Sequence, residues 1–345
     1  MTKRIALLVA LFGVVGVSLA SAAPRGYAWH DTPTGSAARL RGLSGVSSTT
    51  AWASGSLGTV LRTTDRGASW QSIGPPGTAN LQFRDIEAFD ADHAVILSIG
   101  GGTDSRIYVT ANGGQSWTLT FVNQEPTAFY DCMTFFDDRR GLALSDPPDG
   151  QHFRVLATDD GGLHWHVTGA QMPTALSGEF AFAASGQCIT TDHGHRAWFG
   201  TGGGAQARVF RSDDGGASWT VAPTPMNSGP TAGIFALAFR GQQHGLAVGG
   251  DFLLETASPD NFARTDDGGA SWSLLTGAPS EYRSGAAWLN GSTALAVGPS
   301  GSDVSTDGGT TWQRFDDGSL DTVDCANPNA CWGSGANGRV AFLER

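Results

Sequence analysis

A short segment ending in tryptophan recurs six times along the chain and constrains its fold more than any other feature. Each copy follows the pattern Ser/Thr-x-Asp-x-Gly-x-x-Trp, with Asn at the third position of the second copy. The copies occupy residues 63–70, 110–117, 158–165, 212–219, 265–272 and 305–312. Asp and Ser/Thr side chains bond the local backbone of a tight turn, Gly accepts its positive φ, and Trp packs beneath it. The repeat therefore predicts six equivalent turns in one repetitive architecture.

The third residue of each copy carries the side chain that we expect to hold the turn. These residues are Asp65, Asn112, Asp160, Asp214, Asp267 and Asp307. A hydrogen-bonding turn accepts Asn as well as Asp, so we expect a structural role for all six. The pattern is that of the Asp-box, also called the BNR repeat, and each copy is called a box below.

The spacing of the boxes predicts the fold class. Successive box tryptophans are 47, 48, 54, 53 and 40 residues apart, which is the size of a four-stranded propeller blade. Short apolar segments rich in Ala and Gly precede the boxes, as at residues 51–55 and 141–145, and no long helical period occurs. The chain is therefore predicted to be an all-β propeller.

The two ends of the chain predict how many blades close the ring. Residues 321–344 contain three strand-like segments and stop without an outer strand. Residues 27–34 resemble the segment that follows a box, and Trp29 stands where a seventh box tryptophan would be. We expect this first strand to complete the last blade, giving seven blades in one domain over residues 23–345 with no open edge at the seam.

The first residues resemble an export signal. Lys3 and Arg4 precede an apolar run over residues 5–19, and Ala-Ser-Ala follows at 20–22. This order predicts a secretory signal peptide over residues 1–22 and a periplasmic or secreted protein. No later segment is long and apolar enough to predict a membrane span.

Four cysteines are candidates for disulfides in an oxidising compartment. Cys325 and Cys331 flank a turn sequence between two strand-like segments, so we expect a cross-strand bridge between them. Cys132 and Cys188 lie in different repeats, and we expect buried thiols at these two positions.

The charge balance excludes several functions. The formal net charge is −11, and Lys3 is the only lysine among 21 basic residues. An acidic chain does not favour binding to nucleic acid or anionic membranes. Because Lys3 lies in the predicted signal peptide, no lysine remains for Schiff-base chemistry or a P-loop. No metal or redox-cofactor motif occurs either, so no cofactor is expected.

The predicted topology places the boxes on one face and the starts of the innermost strands on the other. We expect a binding surface on that second face because several arginines and carboxylates converge there. The candidate binding residues are Arg41, Arg84, Asp85, Asp131, Asp146, Glu179, Asp251 and Arg283. The alternative is that these charges only pair with one another across a hydrated channel.

The chain resembles the photosystem II stability/assembly factor family and its bacterial relatives. The resemblance rests on the run Ala-Trp-Ala-Ser-Gly-x-x-Gly-x-Val-Leu-Arg-Thr-x-Asp at residues 51–65 and on the recurring blades. It implies a seven-bladed, exported, non-enzymatic assembly or binding protein that holds a protein partner on an arginine-rich surface. Arg41, Arg84 and Arg283 would belong to that surface.

A glycoside hydrolase is the alternative function, because sialidases and xyloglucanases also carry such boxes. Asp131 and Glu179, from neighbouring blades, are the candidate catalytic acid and base. A sialidase needs an arginine triad and a Tyr–Glu pair, and a xyloglucanase uses two propellers, whereas this chain predicts one. The expected partner is thus a protein or a glycan on the face opposite the boxes, and we expect a monomer.

Overall fold

The computed structural model describes residues 26–345 as seven four-stranded antiparallel sheets arranged in a ring. The signal peptide expected at residues 1–22 lies outside the described residues. Each sheet is one blade. Its four strands lie side by side, with the first strand at the central channel and the last at the rim. The predicted all-β, seven-bladed propeller is confirmed.

The first four blades follow the chain in order. Blade 1 contains β2 (Leu40–Gly45), β3 (Ala51–Gly55), β4 (Val60–Thr63) and β5 (Gln71–Ser72). Blade 2 contains β6 (Gln82–Ala88), β7 (Ala94–Ile99), β8 (Arg106–Thr110) and β9 (Thr118–Val122). Blade 3 contains β10 (Tyr130–Phe135), β11 (Gly141–Ser145), β12 (Arg154–Thr158) and β13 (His166–Val167). Blade 4 contains β14 (Ile189–Thr191), β15 (Ala197–Gly200), β16 (Arg208–Ser212) and β17 (Thr220–Pro223).

The last three blades complete the ring. Blade 5 contains β18 (Ala232–Arg240), β19 (His244–Asp251), β20 (Phe262–Thr265) and β21 (Ser273–Leu274). Blade 6 contains β22 (Gly285–Trp288), β23 (Ala294–Gly298), β24 (Gly301–Ser305) and β25 (Gln313–Asp316). Blade 7 contains β26 (Thr322–Asn327), β27 (Ala330–Ser334), β28 (Val340–Glu344) and, as its outer strand, β1 (Ala28–Asp31). The helical pieces described are two 3-10 turns, Gly102–Asp104 and Ala336–Gly338, and no helix in residues 26–345 has the length and apolarity of a membrane span.

The N-terminal strand closes the last blade as the sequence predicted. β1 pairs antiparallel with β28, with Trp29 opposite Leu343. The indole of Trp29 donates a hydrogen bond to Ser302 Oγ in blade 6 (3.0 Å) and lies 5.9 Å from the Phe315 ring. The first strand therefore supplies the outer edge of blade 7 and also packs against the neighbouring blade.

Apolar side chains are buried mainly between adjacent blades. One cluster joins Leu144 and Phe153 of blade 3 to Ile189 and Phe199 of blade 4. Trp198 is fully buried and donates a hydrogen bond to the carbonyl of Gly268 in the next blade (2.8 Å). Short Ala- and Gly-rich second strands leave room for these rings, because adjacent blades must pack face to face.

The same pattern of hydrogen bonds repeats within each of the six boxes. In the fifth box, Thr265 Oγ1 donates to Asp267 Oδ1 (2.7 Å) and accepts from the Gly269 amide (2.9 Å). Ser271 donates its amide and its hydroxyl to the Asp267 carboxylate (2.9 and 2.6 Å). The hydrogen bonds from Ser271, followed by that from Thr265, lower the pKa of this exposed carboxyl to about 2. Asn112 reproduces these bonds in the second box, accepting from Thr110 (3.0 Å) and donating to Ser116 (2.8 Å).

Both pairs of cysteines form disulfides. Cys325 and Cys331, the pair expected from the sequence, are bonded with their Cα atoms 4.0 Å apart. Cys132 and Cys188 are also bonded, with a Cα–Cα distance of 6.1 Å, so the expectation of buried thiols at these positions is wrong. The expectation failed because it treated separate repeats as distant, whereas adjacent blades bring their inner segments together.

Candidate functional site

A cavity opens at the centre of the face opposite the boxes, and we call it the mouth. Its volume is about 310 Å³. It is lined by Arg39, Arg41, Arg84, Phe182, Ala183, Ala184, Phe235, Phe252, Glu255 and Tyr282. A smaller cavity of about 150 Å³ adjoins it and shares the three arginines. Residues from blades 1, 2, 4, 5 and 6 thus converge on one opening.

β-Bulges on the innermost strands position several of these side chains. At the mouth-facing end of the inner strand, its pairing with the second strand skips one residue in blades 1, 2, 3 and 5. The skipped residues are Arg41, Arg84, Asp131 and Phe235. A bulge takes its extra residue out of the regular alternation and re-aims the side chain. Three of the four bulge residues line the mouth.

The three arginines differ in their partners. Arg39 forms a bidentate ion pair with Asp321, at 2.8 and 2.6 Å. Arg84 donates to the Ala183 carbonyl (2.7 Å) and to the Gln82 side chain (3.0 Å), and no described carboxylate lies within 4 Å of its guanidinium. Arg41 also has no ion-pair partner among residues 26–345, and its buried Nε makes no hydrogen bond there. The mouth therefore carries two guanidinium charges that no carboxylate touches in the part of the chain described.

Burial acts on both of these arginines. It lowers the pKa of Arg84 to about 10, with further lowering by the nearby charges of Arg41 and Arg39. Burial also lowers the pKa of Arg41, although the charge of Asp321 opposes the shift. Arg84 remains charged at neutral pH, because a pKa of about 10 lies well above 7, and a guanidinium such as that of Arg41 is not deprotonated in proteins.

Aromatic rings form the opposite wall of the mouth. The Phe182 and Phe235 rings are stacked with centroids 3.9 Å apart, and Tyr282 meets Phe235 edge-on at 4.8 Å. Phe252, at the end of blade 5's second strand, lies 6.2 Å from Phe235. Phe252 and the following Leu253 and Leu254 are exposed, with Leu253 at 69%. An apolar rim thus borders the charged side of the cavity.

Asp131 and Asp146 form a buried carboxyl pair beside the mouth rather than part of its lining. Burial and the neighbouring charge of Asp146 raise the pKa of Asp131. Burial raises the pKa of Asp146 to about 7, although its Oδ1 accepts a hydrogen bond from the Ala181 amide (2.8 Å). The pair therefore retains a proton near neutrality, since two close carboxylates resist ionising together.

Glu179, the other candidate catalytic carboxyl, is buried in an ion pair with Arg208. Its Oε1 accepts hydrogen bonds from Arg208 Nε (2.9 Å) and Thr201 (2.6 Å), and its Oε2 accepts from the Leu176 amide (2.7 Å). Glu179 does not line the mouth or its adjoining cavity. A carboxylate held this way organises blade 4 and is poorly placed to act as an acid or base on a ligand.

Two further predicted binding residues hold the protein's own structure. Arg283 is fully buried and pairs with Asp303 (Nε–Oδ2 2.7 Å) and with Glu281. It therefore does not face the mouth as the sequence suggested, because the segment that precedes β22 directs its side chain to Asp303 on β24 of the same blade. Asp251 Oδ1 accepts a hydrogen bond from the amide of Leu253 (2.9 Å) and so holds the loop that carries the apolar rim.

Asp85 lies deeper, in the central channel. With Glu87 and Asp324 it lines a polar cavity of about 160 Å³, and its Oδ2 accepts the Met133 amide (2.6 Å). Burial raises the pKa of all three carboxyls, and that of Glu87 is raised further by the other two. Within residues 26–345, no cluster of three or more His, Cys, Asp or Glu side chains is arranged to hold a metal ion.

The sequence prediction thus found Arg41 and Arg84 but missed several residues of the mouth. Phe235 follows Ile234 just as Arg41 follows Leu40, so an alignment of inner strands would have indicated it. Arg39 lies two residues before Arg41, a spacing that places both side chains on the same side of an extended chain. No local signal separates Arg283 from Arg41, because only tertiary packing decides which arginine meets a carboxylate.

The chain is similar in structure to several solved propellers. It covers 96% of YCF48 bound to D1 peptide, over 92% of its own length, with a TM-score of 0.66 and 15% identity. It covers 98% of YCF48 from Cyanidioschyzon merolae, over 91% of its own length, with a TM-score of 0.63 and 14% identity. It covers 53% of the GH74 xyloglucanase from Xanthomonas campestris, over 91% of its own length, with a TM-score of 0.58 and 15% identity.

These identities are low, and the similarity establishes the propeller fold alone. A scan against protein-family models and a search of curated proteins gave no match.

Proposed function

We propose that this protein is an exported, non-enzymatic binding scaffold of the photosystem II assembly-factor-like type, which holds a protein partner at the mouth. One observation carries the proposal: Arg41 and Arg84 lie uncompensated in an open cavity of a chain whose net charge is −11. Partly buried charges without partners lower stability, so their presence at an opening favours a ligand that compensates them.

Two further observations support the proposal. A structurally similar propeller, YCF48, has been solved with a bound D1 peptide, so this architecture can hold a peptide. The two disulfides, Cys132–Cys188 and Cys325–Cys331, suit an oxidising compartment and hence export. The hydrolase alternative loses support because Glu179 is engaged by Arg208.

The test is affinity capture with a matched control. The purified chain from residue 23 onward is immobilised and exposed to an envelope extract of its organism of origin. Arg41→Ala/Arg84→Ala is compared with Arg139→Ala/Arg140→Ala, which removes two exposed arginines from the box face. Mass spectrometry should identify a protein that the parent and the control retain and that the mouth variant does not.

Two results would contradict the proposed function. A partner retained equally by both double variants would place binding elsewhere. Failure of the parent to retain any protein under conditions that keep it folded, checked by circular dichroism, would remove the scaffold role.

A further inference from the structure

The two sides of the mouth differ in chemistry, and together they specify more than a general protein partner. One side presents Arg41 and Arg84, and the other presents the rings of Phe235 and Phe252. Arg84 touches the aromatic side directly, since it donates to the carbonyl of Ala183, next to Phe182. A ligand in the cavity therefore meets cationic and apolar surface at the same time.

The positive charge of the mouth is only partly balanced from within. Asp321 pairs with Arg39, and the charges of Asp321 and then Asp131 act on Arg84 without touching it. The Asp131–Asp146 pair retains one proton near neutrality, so it carries about one negative charge, but neither carboxyl lines the mouth. Glu255 lies on the exposed rim and acts mainly on Arg39. These carboxyl groups act on Arg41 and Arg84 only from a distance, so in residues 26–345 neither guanidinium has a carboxylate in contact with it.

The channel below the mouth is lined by carboxyl groups and not by arginines. Asp85, Glu87 and Asp324 line its deeper cavity. An anionic group attracted by the arginines meets like-charged or proton-bearing carboxyls if it moves further in. The anion is consequently held at the level of the arginines, within reach of the aromatic wall.

We infer that the mouth binds an extended acidic segment of the partner protein, in which a bulky apolar side chain lies beside at least two carboxylates. This inference rests on the proposed function and names the chemistry of the partner. Two carboxylates would compensate Arg41 and Arg84, which a single chain-terminal carboxylate would not do. The apolar side chain would pack on Phe235 and Phe252 and cover the exposed Leu253.

Peptide selection tests the inference without knowledge of the partner. Phage displaying random internal 12-residue segments are selected on the parent protein after removal of phage that bind Arg41→Ala/Arg84→Ala. We expect enriched segments to contain at least two Asp or Glu residues next to Phe, Leu, Trp or Tyr. A parallel library that displays segments with free C-termini shows whether a chain-terminal carboxylate, and not a pair of side-chain carboxylates, is the group that binds the arginines.

Synthetic versions of an enriched segment, acetylated and amidated, give the quantitative test. Replacing one acidic residue by Gln, or the bulky residue by Ala, should weaken binding roughly 10-fold or more in each case, and added salt should weaken it further. Arg41→Gln/Arg84→Gln and Phe252→Ala should weaken binding similarly, whereas Arg139→Ala/Arg140→Ala should not. Phe252 is 39% exposed, so its truncation should leave the fold intact.

Three results would overturn the inference: enrichment of neutral or basic segments, enrichment only among free C-termini with one carboxylate, or no enrichment over the double variant. If capture from the envelope extract still depends on Arg41 and Arg84, the proposed function stands and only the ligand chemistry is wrong. If capture also fails to depend on them, both are wrong.

Discussion

The two faces of this ring use charged residues in opposite ways. On the box face, the third residue of every box is satisfied by hydrogen bonds from within the same turn, and the network repeats from blade to blade. On the mouth face, each blade differs: Arg39, Arg208 and Arg283 meet carboxylates, whereas Arg41 and Arg84 do not. Repeated polar residues therefore serve the fold, and the unrepeated, unpaired ones mark the candidate site.

The largest expected effect comes from opening the ring, on which both faces depend. Removing residues 26–34 from a chain that starts at residue 23 deletes β1, its pairing with β28 and the Trp29–Ser302 hydrogen bond. Blade 7 would then have an exposed edge, so we expect loss of cooperative unfolding or a fall in Tm of more than about 10 °C. Calorimetry measures it, and an unchanged Tm would mean that β1 is dispensable for closure.

The disulfides are expected to differ in their effect on stability. Cys132–Cys188 spans 56 residues and joins adjacent blades, whereas Cys325–Cys331 spans 6 within one hairpin. Replacing the first pair with Ala should cost about 2–5 kcal/mol, and replacing the second should cost less, because a longer loop constrains the unfolded chain more. Urea unfolding without reductant measures both, and the reverse order would contradict this reasoning.

A box aspartate can be removed to test whether the box face is structural. Asp267→Ala removes the hydrogen bonds from Thr265 and Ser271 and should cost about 1 kcal/mol at pH 7. Asp267→Asn should cost less, because Asn112 holds an equivalent turn. The folded pKa of about 2 lies below the usual value near 3.9, so this charge-dependent stability is present above pH 4 and declines as pH falls towards 2.

Chemical unfolding at several pH values tests this prediction. The difference between the parent and Asp267→Asn should shrink between pH 4 and pH 2. A constant difference would show that the ionised carboxylate contributes nothing special to the turn.

The carboxyl pair beside the mouth should show the opposite pH dependence. The folded pKa of Asp146, about 7, lies above its unfolded value near 3.9, so the stability from this group is complete below pH 4 and lost as pH rises through 7. Asp146→Asn removes this loss of stability, and the Asn side chain can still accept a hydrogen bond from the Ala181 amide. As pH rises from 5 to 8, we expect the free energy of unfolding of the variant to increase relative to that of the parent by about 1–2 kcal/mol. Thermal melts at both pH values would contradict this if the two proteins lose stability in parallel.

The smallest expected effect on stability lies in the mouth itself. Arg41→Ala/Arg84→Ala relieves two charges without ion pairs but also removes the hydrogen bonds of Arg84 to Ala183 and Gln82. Because these effects oppose each other, the free energy of unfolding should change by less than about 1 kcal/mol. Arg283→Ala is the contrasting control, because it leaves Asp303 buried without its partner and should cost about 3–5 kcal/mol. Equal losses in the two proteins would remove the distinction between paired and unpaired arginines.

The fold could be predicted almost completely from the sequence, because the repeated box ties each turn to local residues and the spacing fixes the blade. The closing strand was also predictable, since Trp29 matches the box tryptophans. The site was only partly predictable: the bulges at Arg41 and Phe235, the Cys132–Cys188 bridge and the burial of Arg283 all depend on packing between segments distant in sequence.

The most direct test of the central claim compares two exposed leucines on opposite faces. Leu253 lies on the rim of the mouth, and Leu163 lies in the third box. Each is replaced in turn by benzoylphenylalanine, and the protein is irradiated in the envelope extract. Our account predicts a specific protein adduct from position 253 that disappears with Arg41→Ala/Arg84→Ala, and none from position 163. An adduct from position 163 alone would contradict it, because the partner would then bind the face that we assign to structure.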